Sequence, residues 1–139
     1  MKYKIIAKYI KNLKFEIPKA KTFFLLSKDI SNYKINIDIN SNQFKDKIVE
    51  VETRLRLIPT NNDFEKINTE IIYSAIIELD GEISDKEKIE EIILIKVPNE
   101  IYPNIRKLFV SLFEESGFKD IKIDKAVNFR ELYNKRRIQ

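Results

Sequence analysis

The sequence contains no cysteine, no histidine and no tryptophan, and only two of its 139 residues are glycine. Without cysteine and histidine the chain cannot form disulfides, thiolate metal sites or imidazole-based catalytic sites. The two isolated glycines, Gly81 and Gly117, cannot build a glycine-rich phosphate loop. Catalysis by carboxylate, lysine, serine or tyrosine is left, but no spacing singles out a set. We therefore expect a protein that is not an enzyme and that needs no cofactor or metal.

Long apolar runs are also missing, since no stretch approaches the ~20 apolar residues that span a bilayer. The N-terminal segment is basic, but Lys8 and Lys11 interrupt its apolar residues, and it is too short for a signal peptide. A chain of this length is most simply one domain. We expect a single domain over residues 1–139, located in the cytoplasm and not inserted into a membrane.

The net charge of +4 is unevenly distributed. Residues 1–22 carry seven lysines and one glutamate, whereas residues 46–100 carry fourteen acidic and seven basic side chains. A basic start favours polyanions or acidic partners; the alternative is that lysine is simply common throughout. Because these lysines fall on a predicted strand without an aromatic stacking pattern, we expect no binding of nucleic acid.

Period-two alternation of apolar and polar residues dominates the first half and predicts four strands. The alternating segments are residues 13–17, 33–39, 49–57 and 67–79. Polar breaks at Ser41-Asn42, at Asp46-Lys47 and at residues 59–63 separate them. Consecutive strands with short links favour an antiparallel meander.

The second half changes to helical periodicity. Ser84 and Glu87 have the spacing of a capping box, and the helix that they open is predicted to stop at Pro98. A second amphipathic helix follows Pro103, which fits a first helical turn, and Gly117 is its predicted C-cap.

The C-terminal part is predicted to be extended over residues 119–124 and to end in a short helix. Asn128 is the predicted N-cap of this helix, with Glu131 as the reciprocal acid. Residues 134–139 are predicted to be a frayed tail.

Three segments occur in a characteristic order: YIKNLKFEIP at 9–18, VPNEIYPNIR at 97–106 and VNFRELY at 127–133. Together with the four predicted strands, they resemble the SecB family, the tetrameric chaperones of bacterial protein export. The likeness covers roughly residues 9–133. Asn12 replaces the family's usual aspartate, and Val97 replaces its usual cysteine.

This resemblance implies an α+β fold: a four-stranded antiparallel sheet with helices packed on one face, a long helix after Pro103 and a short C-terminal helix. It also implies a homotetramer, a dimer of dimers that assembles through the long helix. The apolar stripe of that helix consists of Ile105, Leu108, Phe109, Leu112 and Phe113. The same stripe would equally suit a helix that packs in the chain's own core.

The function that the resemblance implies is that of an ATP-independent holdase, which binds unfolded preproteins and keeps them competent for export. The candidates for the client-peptide groove are Phe23, Phe24, Leu25, Leu26, Ile72 and Ile76. Two alternatives stay open: residues 23–26 form a packed connection, and Ile72 and Ile76 lie beneath a helix.

In the family, acidic residues on the sheet dock the basic tail of SecA, the translocase ATPase. The corresponding positions are Asn12, Glu16, Asn68 and Glu70. Only two carboxylates stand there, and nearby lysines weaken the attraction to a basic partner. The sequence therefore also allows a SecB-like chaperone dedicated to one partner, such as an antitoxin, and not coupled to SecA.

Overall fold

The sheet has four antiparallel strands in the order β1-β4-β3-β2. The structure, a computed structural model, describes residues 2–28, 33–60, 67–81, 84–119, 121 and 123–138. Its elements are β1 (Lys2–Glu16), α1 (Ala20–Lys28), β2 (Tyr33–Lys45), β3 (Ile48–Pro59), β4 (Asn68–Asp80), α2 (Lys86–Glu91), a π-helical turn (Ile92–Lys96), α3 (Val97–Glu115) and α4 (Phe129–Ile138). The α+β class and the four-stranded antiparallel sheet are as predicted.

The observed strand order differs from the predicted meander in the position of β1. β2, β3 and β4 do follow one another as neighbours, but β1 pairs with β4, from Lys2 opposite Asp80 to Glu16 opposite Asn68. The reason is α1, a helix that the sequence pattern did not indicate. It lengthens the connection after β1, so the rule that consecutive strands become neighbours no longer applies there.

The connection between β2 and β3 is a two-residue turn at Asp46-Lys47, in which Lys47 has a φ of 63°. The predicted break at Ser41-Asn42 is wrong, because both residues pair with β3 inside a longer strand. Residues 61–63 of the next predicted break lie outside the described residues.

The core lies between one face of the sheet, here called the inner face, and the helix α3. The inner face contributes apolar residues from the two central strands, among them Val51, Leu55, Ile71 and Ile77, all almost fully buried. The buried side chains of α3 include Ile101, Ile105, Phe109 and Phe113. Burial of aliphatic and aromatic side chains of this size stabilises the fold by roughly 1.5–3 kcal/mol each.

Pro98 does not stop the helix, contrary to the prediction. The backbone stays helical from α2 through the π-helical turn into α3, with Pro98 near the start of α3. Pro103 lies inside α3, so the long helix that was predicted to follow Pro103 begins six residues earlier, at Val97. In the wider turn the Val97 N–H donates to the carbonyl of Ile92, five residues back. In a regular α-helix a proline ring clashes with the carbonyl of the residue four positions earlier. The wider π-helical turn lies at that position, just before Pro98, and so gives the ring room.

The N-terminal cap of α4 is the predicted residue, whereas the cap of α2 differs from the prediction. Asn128 caps α4 as predicted, since its Oδ1 accepts from the Glu131 N–H at 3.0 Å. At α2 the cap is Asp85, which accepts from the Lys88 N–H at 3.2 Å, so the predicted capping box at Ser84 is one residue too early. Both residue types suit a cap, and spacing alone did not decide between them.

Gly117 ends α3 as predicted. It has a φ of 96°, its N–H donates to the carbonyl of Glu114, and the Phe118 N–H donates to that of Phe113. These two bonds are the Schellman pattern of a helix end.

Gly117→Ala is expected to lower the free energy of unfolding by about 1–2 kcal/mol, because an L-residue is strained at positive φ. The added Cβ would lie 3.7 Å from the Phe23 ring, which is ordinary contact, so the backbone alone carries the cost. Urea denaturation at one protein concentration measures the loss. The exposed Ser27→Ala is the control and should stay within ~0.5 kcal/mol; an equal change in both variants would contradict the prediction.

The C-terminal predictions need two corrections. The described part of residues 119–124 forms no strand, and α4 continues through Ile138, so residues 134–138 are helical rather than frayed. Residue 139 lies outside the described residues. Within the described part of the chain, no helix is both long and apolar enough to cross a membrane.

Candidate functional site

An apolar groove runs between the edge strand β2 and the C-terminal helix α4. Two adjoining clefts of about 190 and 280 Å³ form it, and both are lined by Ile37 and Leu132. We call it the β2–α4 groove; its main apolar residues are Ile35, Ile37, Ile39, Leu94, Val127 and Leu132. Leu132 is 38% exposed although it is a large apolar side chain. Apolar surface of this kind marks a binding site.

The second property of the groove is an unpaired strand edge, which β2 provides within the described chain. β2 pairs with β3 on one side, and no strand of the described residues pairs with its other side. The three isoleucines alternate along β2 and face the groove, while the peptide groups between them form a strand edge. An extended peptide can pair with such an edge and place alternate side chains in the clefts.

Helix α4, the other wall, is fastened to the helix that precedes α3. Arg130 donates to Glu91 at 2.7 Å, and the Tyr133 hydroxyl donates to Glu90 at 2.9 Å. The hydrogen bond from Arg130 holds the pKa of Glu91 below its ordinary value. At the first residue of α4, Phe129 packs edge-on against Tyr102, with ring centroids 6.2 Å apart. The second and third of the characteristic segments therefore contact each other.

Sequence reasoning missed this groove. The alternating isoleucines of β2 fit one half of an ordinary core face, and no sequence pattern assigns a role to Leu132. The signal is present in the period of β2, but it identifies a groove only once β2 is known to be an edge strand, and strand order is not visible in the sequence.

The structure does not bring the predicted groove residues together on one surface. Phe23, Phe24, Leu25 and Leu26 lie on α1, where Leu26 is buried and the Phe23 ring packs 4.6 Å from that of Phe118. Phe24 is the most accessible of the four, at 67% exposure. These positions largely fit the alternative in which residues 23–26 form a packed connection. A client role for these residues stays a prediction.

Ile72 and Ile76 lie on the opposite, outer face of the sheet and are half-buried there. The helix that packs against the central strands, α3, lies on the inner face and so does not cover them; a client role for Ile72 and Ile76 stays a prediction. Charged side chains cover the outer face instead, and Ile72 lines a small cleft with Glu52 and Arg54.

The predicted SecA-docking residues do share one surface. In the β1–β4 register Glu16 lies opposite Asn68, Lys14 opposite Glu70 and Asn12 opposite Ile72, which places them in adjacent rows of the outer face. Glu70 is already paired, since Arg54 on β3 lies 3.2 Å from it. The role of these residues stays a prediction.

Beside them a polar cluster links β1 to β3 across β4. Lys11 pairs with Glu52 and, at 3.0 Å, with Glu50, which also accepts a hydrogen bond from Tyr9. Lys11 stands at an irregularity in the β1–β4 register. The buried Ser74 lies beneath the cluster, and its small side chain leaves room for β1 side chains to reach over β4.

Acid is expected to weaken this cluster. The hydrogen bond from Tyr9, with that from Lys11, lowers the pKa of Glu50 from 4.5 to about 2. Because the folded pKa lies below the unfolded value, Glu50 stabilises the fold above pH ~4.5 and loses this contribution as the pH falls towards 2. Urea denaturation across this range should show a steeper loss for the natural chain than for Glu50→Gln.

The control for this experiment is Glu114→Gln, which removes an exposed carboxylate with no ion pair among the described residues. Its stability should follow the natural chain at every pH. Parallel curves for the natural chain and Glu50→Gln would refute the assigned role of Glu50.

The predicted oligomer stripe is divided between the core and the surface. Ile105, Phe109 and Phe113 are fully buried in the chain's own core, while Leu108 and Leu112 are half-buried. The accessible side of α3 borders a cleft of about 450 Å³ against β1, lined by Ile10, Tyr73 and Leu108 among others. Ile6, Ile10 and Leu13 on β1 are 44–46% exposed. An oligomer contact through α3 stays a prediction.

Comparison with known proteins agrees with the resemblance. The family model described as preprotein translocase subunit SecB matches residues 1–139. A SecB protein-export protein from Pelagibacter ubique is 42% identical over 134 residues, covering 96% of both chains. The protein-export protein SecB of Rickettsia rickettsii is 28% identical over 131 residues, covering 94% of this chain and 84% of its own.

Among solved structures, one similar fold is the SecB-like chaperone of Mycobacterium tuberculosis in complex with a peptide from an antitoxin. The TM-score is 0.62, and the match covers 90% of this chain and 88% of the other. With 11% sequence identity, the likeness concerns the fold.

Proposed function

Because the chain belongs to the SecB family of protein-export chaperones, we propose that its β2–α4 groove binds segments of non-native preproteins. The observation that carries this proposal is the apolar groove beside an unpaired strand edge. A bound segment pairs its backbone with β2 and buries alternate side chains against Leu132 and the isoleucines. Held in this extended form, the client neither folds nor aggregates and stays competent for export. Binding of the client needs no ATP. We place the protein in the cytoplasm, where preproteins are found before they are exported.

The proposed tetramer is supported by a second apolar surface. Ile6, Ile10 and Leu13 lie on the edge strand β1, and Leu108 lies across the cleft on α3. In a monomer this surface would promote aggregation. Pairing of two copies, and then of two dimers, covers it and multiplies the number of grooves available to one client. Sedimentation velocity should show a species four times the chain mass; a strict monomer would reject the assembly.

The direct test of the holdase activity uses a disulfide-dependent client that aggregates when it is reduced. Stoichiometric chaperone should suppress light scattering equally with and without ATP. No suppression over a wide concentration range would reject the proposed function.

We propose that SecA contacts this chain weakly, through Glu16 and Glu70 on the outer face. Arg54 competes for Glu70 at 3.2 Å, and Lys11 neutralises two further carboxylates. Arg54→Ala should therefore strengthen binding of the basic SecA tail several-fold at low salt, and less at high salt. Lys119→Ala, which removes an exposed positive charge after α3, is the control; an equal gain in both variants would reject the docking surface.

The same paired charges favour a second candidate, a SecB-like chaperone dedicated to one partner such as an antitoxin. An outer face whose carboxylates already have cationic partners offers less to a basic motor protein. Capture of client proteins by the tagged chaperone distinguishes the two candidates. A broad set of preproteins supports the general chaperone, and one dominant partner supports the dedicated one.

A further inference from the structure

The part of the chain that leads into α4, residues 123–128, is held by side chains of α3 at its first two residues. The Tyr102 hydroxyl donates to the backbone carbonyl of Asp124 at 2.7 Å, and Arg106 Nε donates to that of Ile123 at 3.1 Å. Tyr102 and Ile123 are both buried. Burial raises the pKa of Tyr102 above its ordinary value, so its hydroxyl, already protonated at neutral pH, stays a donor in more alkaline solution as well. Two donors thus hold two consecutive peptide groups.

The geometry of these two bonds determines the path of the chain. Tyr102 and Arg106 are four residues apart and so lie on one face of α3. In an extended strand, successive carbonyls point to opposite sides. Because both carbonyls here accept from the same helix, α3 sets the path of the backbone at residues 123–124, and the chain bends directly afterwards, at Lys125.

Asp124, one of the two residues whose carbonyls accept these bonds, lies at one end of the β2–α4 groove. Tyr102, Asp124 and Val127 line the same cleft as Ile35 and Leu132. Tyr102 also packs against Phe129, the first residue of α4. The two hydrogen bonds therefore act on the wall of the groove, although neither donor belongs to its apolar residues.

We propose that Tyr102 and Arg106 are positioning residues that fix residues 123–128, the part of the connection before α4, as the end wall of the β2–α4 groove. The inference rests on the proposed function, since it assigns a role in that same groove. Loss of either donor should leave the sheet and α3 intact but allow the connection to move, so that the groove loses its shape before a client arrives. Such a loss of pre-organisation lowers affinity without removing any contact to the client.

The test pairs Tyr102→Phe with Tyr3→Phe. Tyr3 also donates its hydroxyl to a residue of α3, Glu100, at 2.6 Å, but it lies on β1, away from the groove. Amide hydrogen exchange of the free protein should be about 5- to 10-fold faster at residues 123–128 in Tyr102→Phe and unchanged there in Tyr3→Phe. The probe for binding is a reduced, carboxymethylated client that cannot refold; its affinity should fall about 3- to 10-fold in Tyr102→Phe alone.

Arg106 provides an independent readout. Arg106→Met should reproduce both effects, and Arg106→Lys, which keeps a donor, should restore part of the affinity. Faster exchange with unchanged affinity, or unchanged exchange at residues 123–128, would overturn the positioning role. Failure of the natural chain to bind the client would instead reject the proposed function, and the exchange data would still report whether the two donors fix the connection.

Discussion

Leu132→Asp is expected to lower client affinity by at least about ten-fold, the largest functional effect that we predict for a single substitution. Leu132 lines both clefts of the β2–α4 groove, so a bound apolar segment would cover the new carboxylate. Removing an unpaired charge from water costs several kcal/mol, and each 1.4 kcal/mol changes a dissociation constant ten-fold. Fluorescence anisotropy with the labelled, unfolded client measures the affinity.

The matched control is Phe44→Asp. Phe44 is 69% exposed next to the β2–β3 turn, outside the groove, so this variant also adds a carboxylate at an exposed apolar position. Its affinity should stay within a factor of two or so of the natural chain. Equal losses in the two variants would mean that net charge, and not the groove, governs binding.

Phe113→Ala is expected to lower the free energy of unfolding by about 3–5 kcal/mol, the largest effect on stability. Its ring contacts Phe15 at 5.0 Å, Phe109 at 4.9 Å and Phe118 at 5.1 Å between centroids, and so joins β1, α3 and the segment after α3. The cavity left by the ring cannot be filled by neighbours fixed on three separate segments. Chemical denaturation of both proteins measures the difference.

Two comparisons sharpen this prediction. Phe44→Ala removes the same ring from an exposed site and should cost less than ~0.5 kcal/mol. The loss in Phe113→Ala should also be the same at low and high protein concentration, because the ring contacts lie within one chain. A loss that grows with dilution would place Phe113 in an interface between copies.

The sequence alone predicted the elements whose pattern reports their surroundings directly. β3 alternates between a buried and an outer face, and the stripe Ile105, Phe109 and Phe113 follows the helical period; the strand and the helix both form as predicted. Gly117 and Asn128 mark helix ends, since each residue type fits a specific backbone need. In these cases a local property determines the local structure.

One failure is local: Pro98 should stop a helix, yet a π-helical turn just before it lets the helix continue. The other failures occur where distant residues decide. The groove escaped detection because β2 is an edge strand only by virtue of β1 pairing with β4. The predicted stripe of α3 was ambiguous between core and interface, and three of its five side chains are buried in the core. No window of neighbouring residues contains this information.

The pairing of β1 with β4 has a consequence for synthesis of the chain. The partners of β1 are encoded about 50 to 80 residues later, from Asn68 to Asp80. At about 5–20 residues per second, the ribosome needs roughly 3–16 s to supply them. For that time the first strand made, with its exposed isoleucines, has no partner within its own chain. During its own synthesis the chain therefore exposes the kind of extended apolar segment that the β2–α4 groove is proposed to bind.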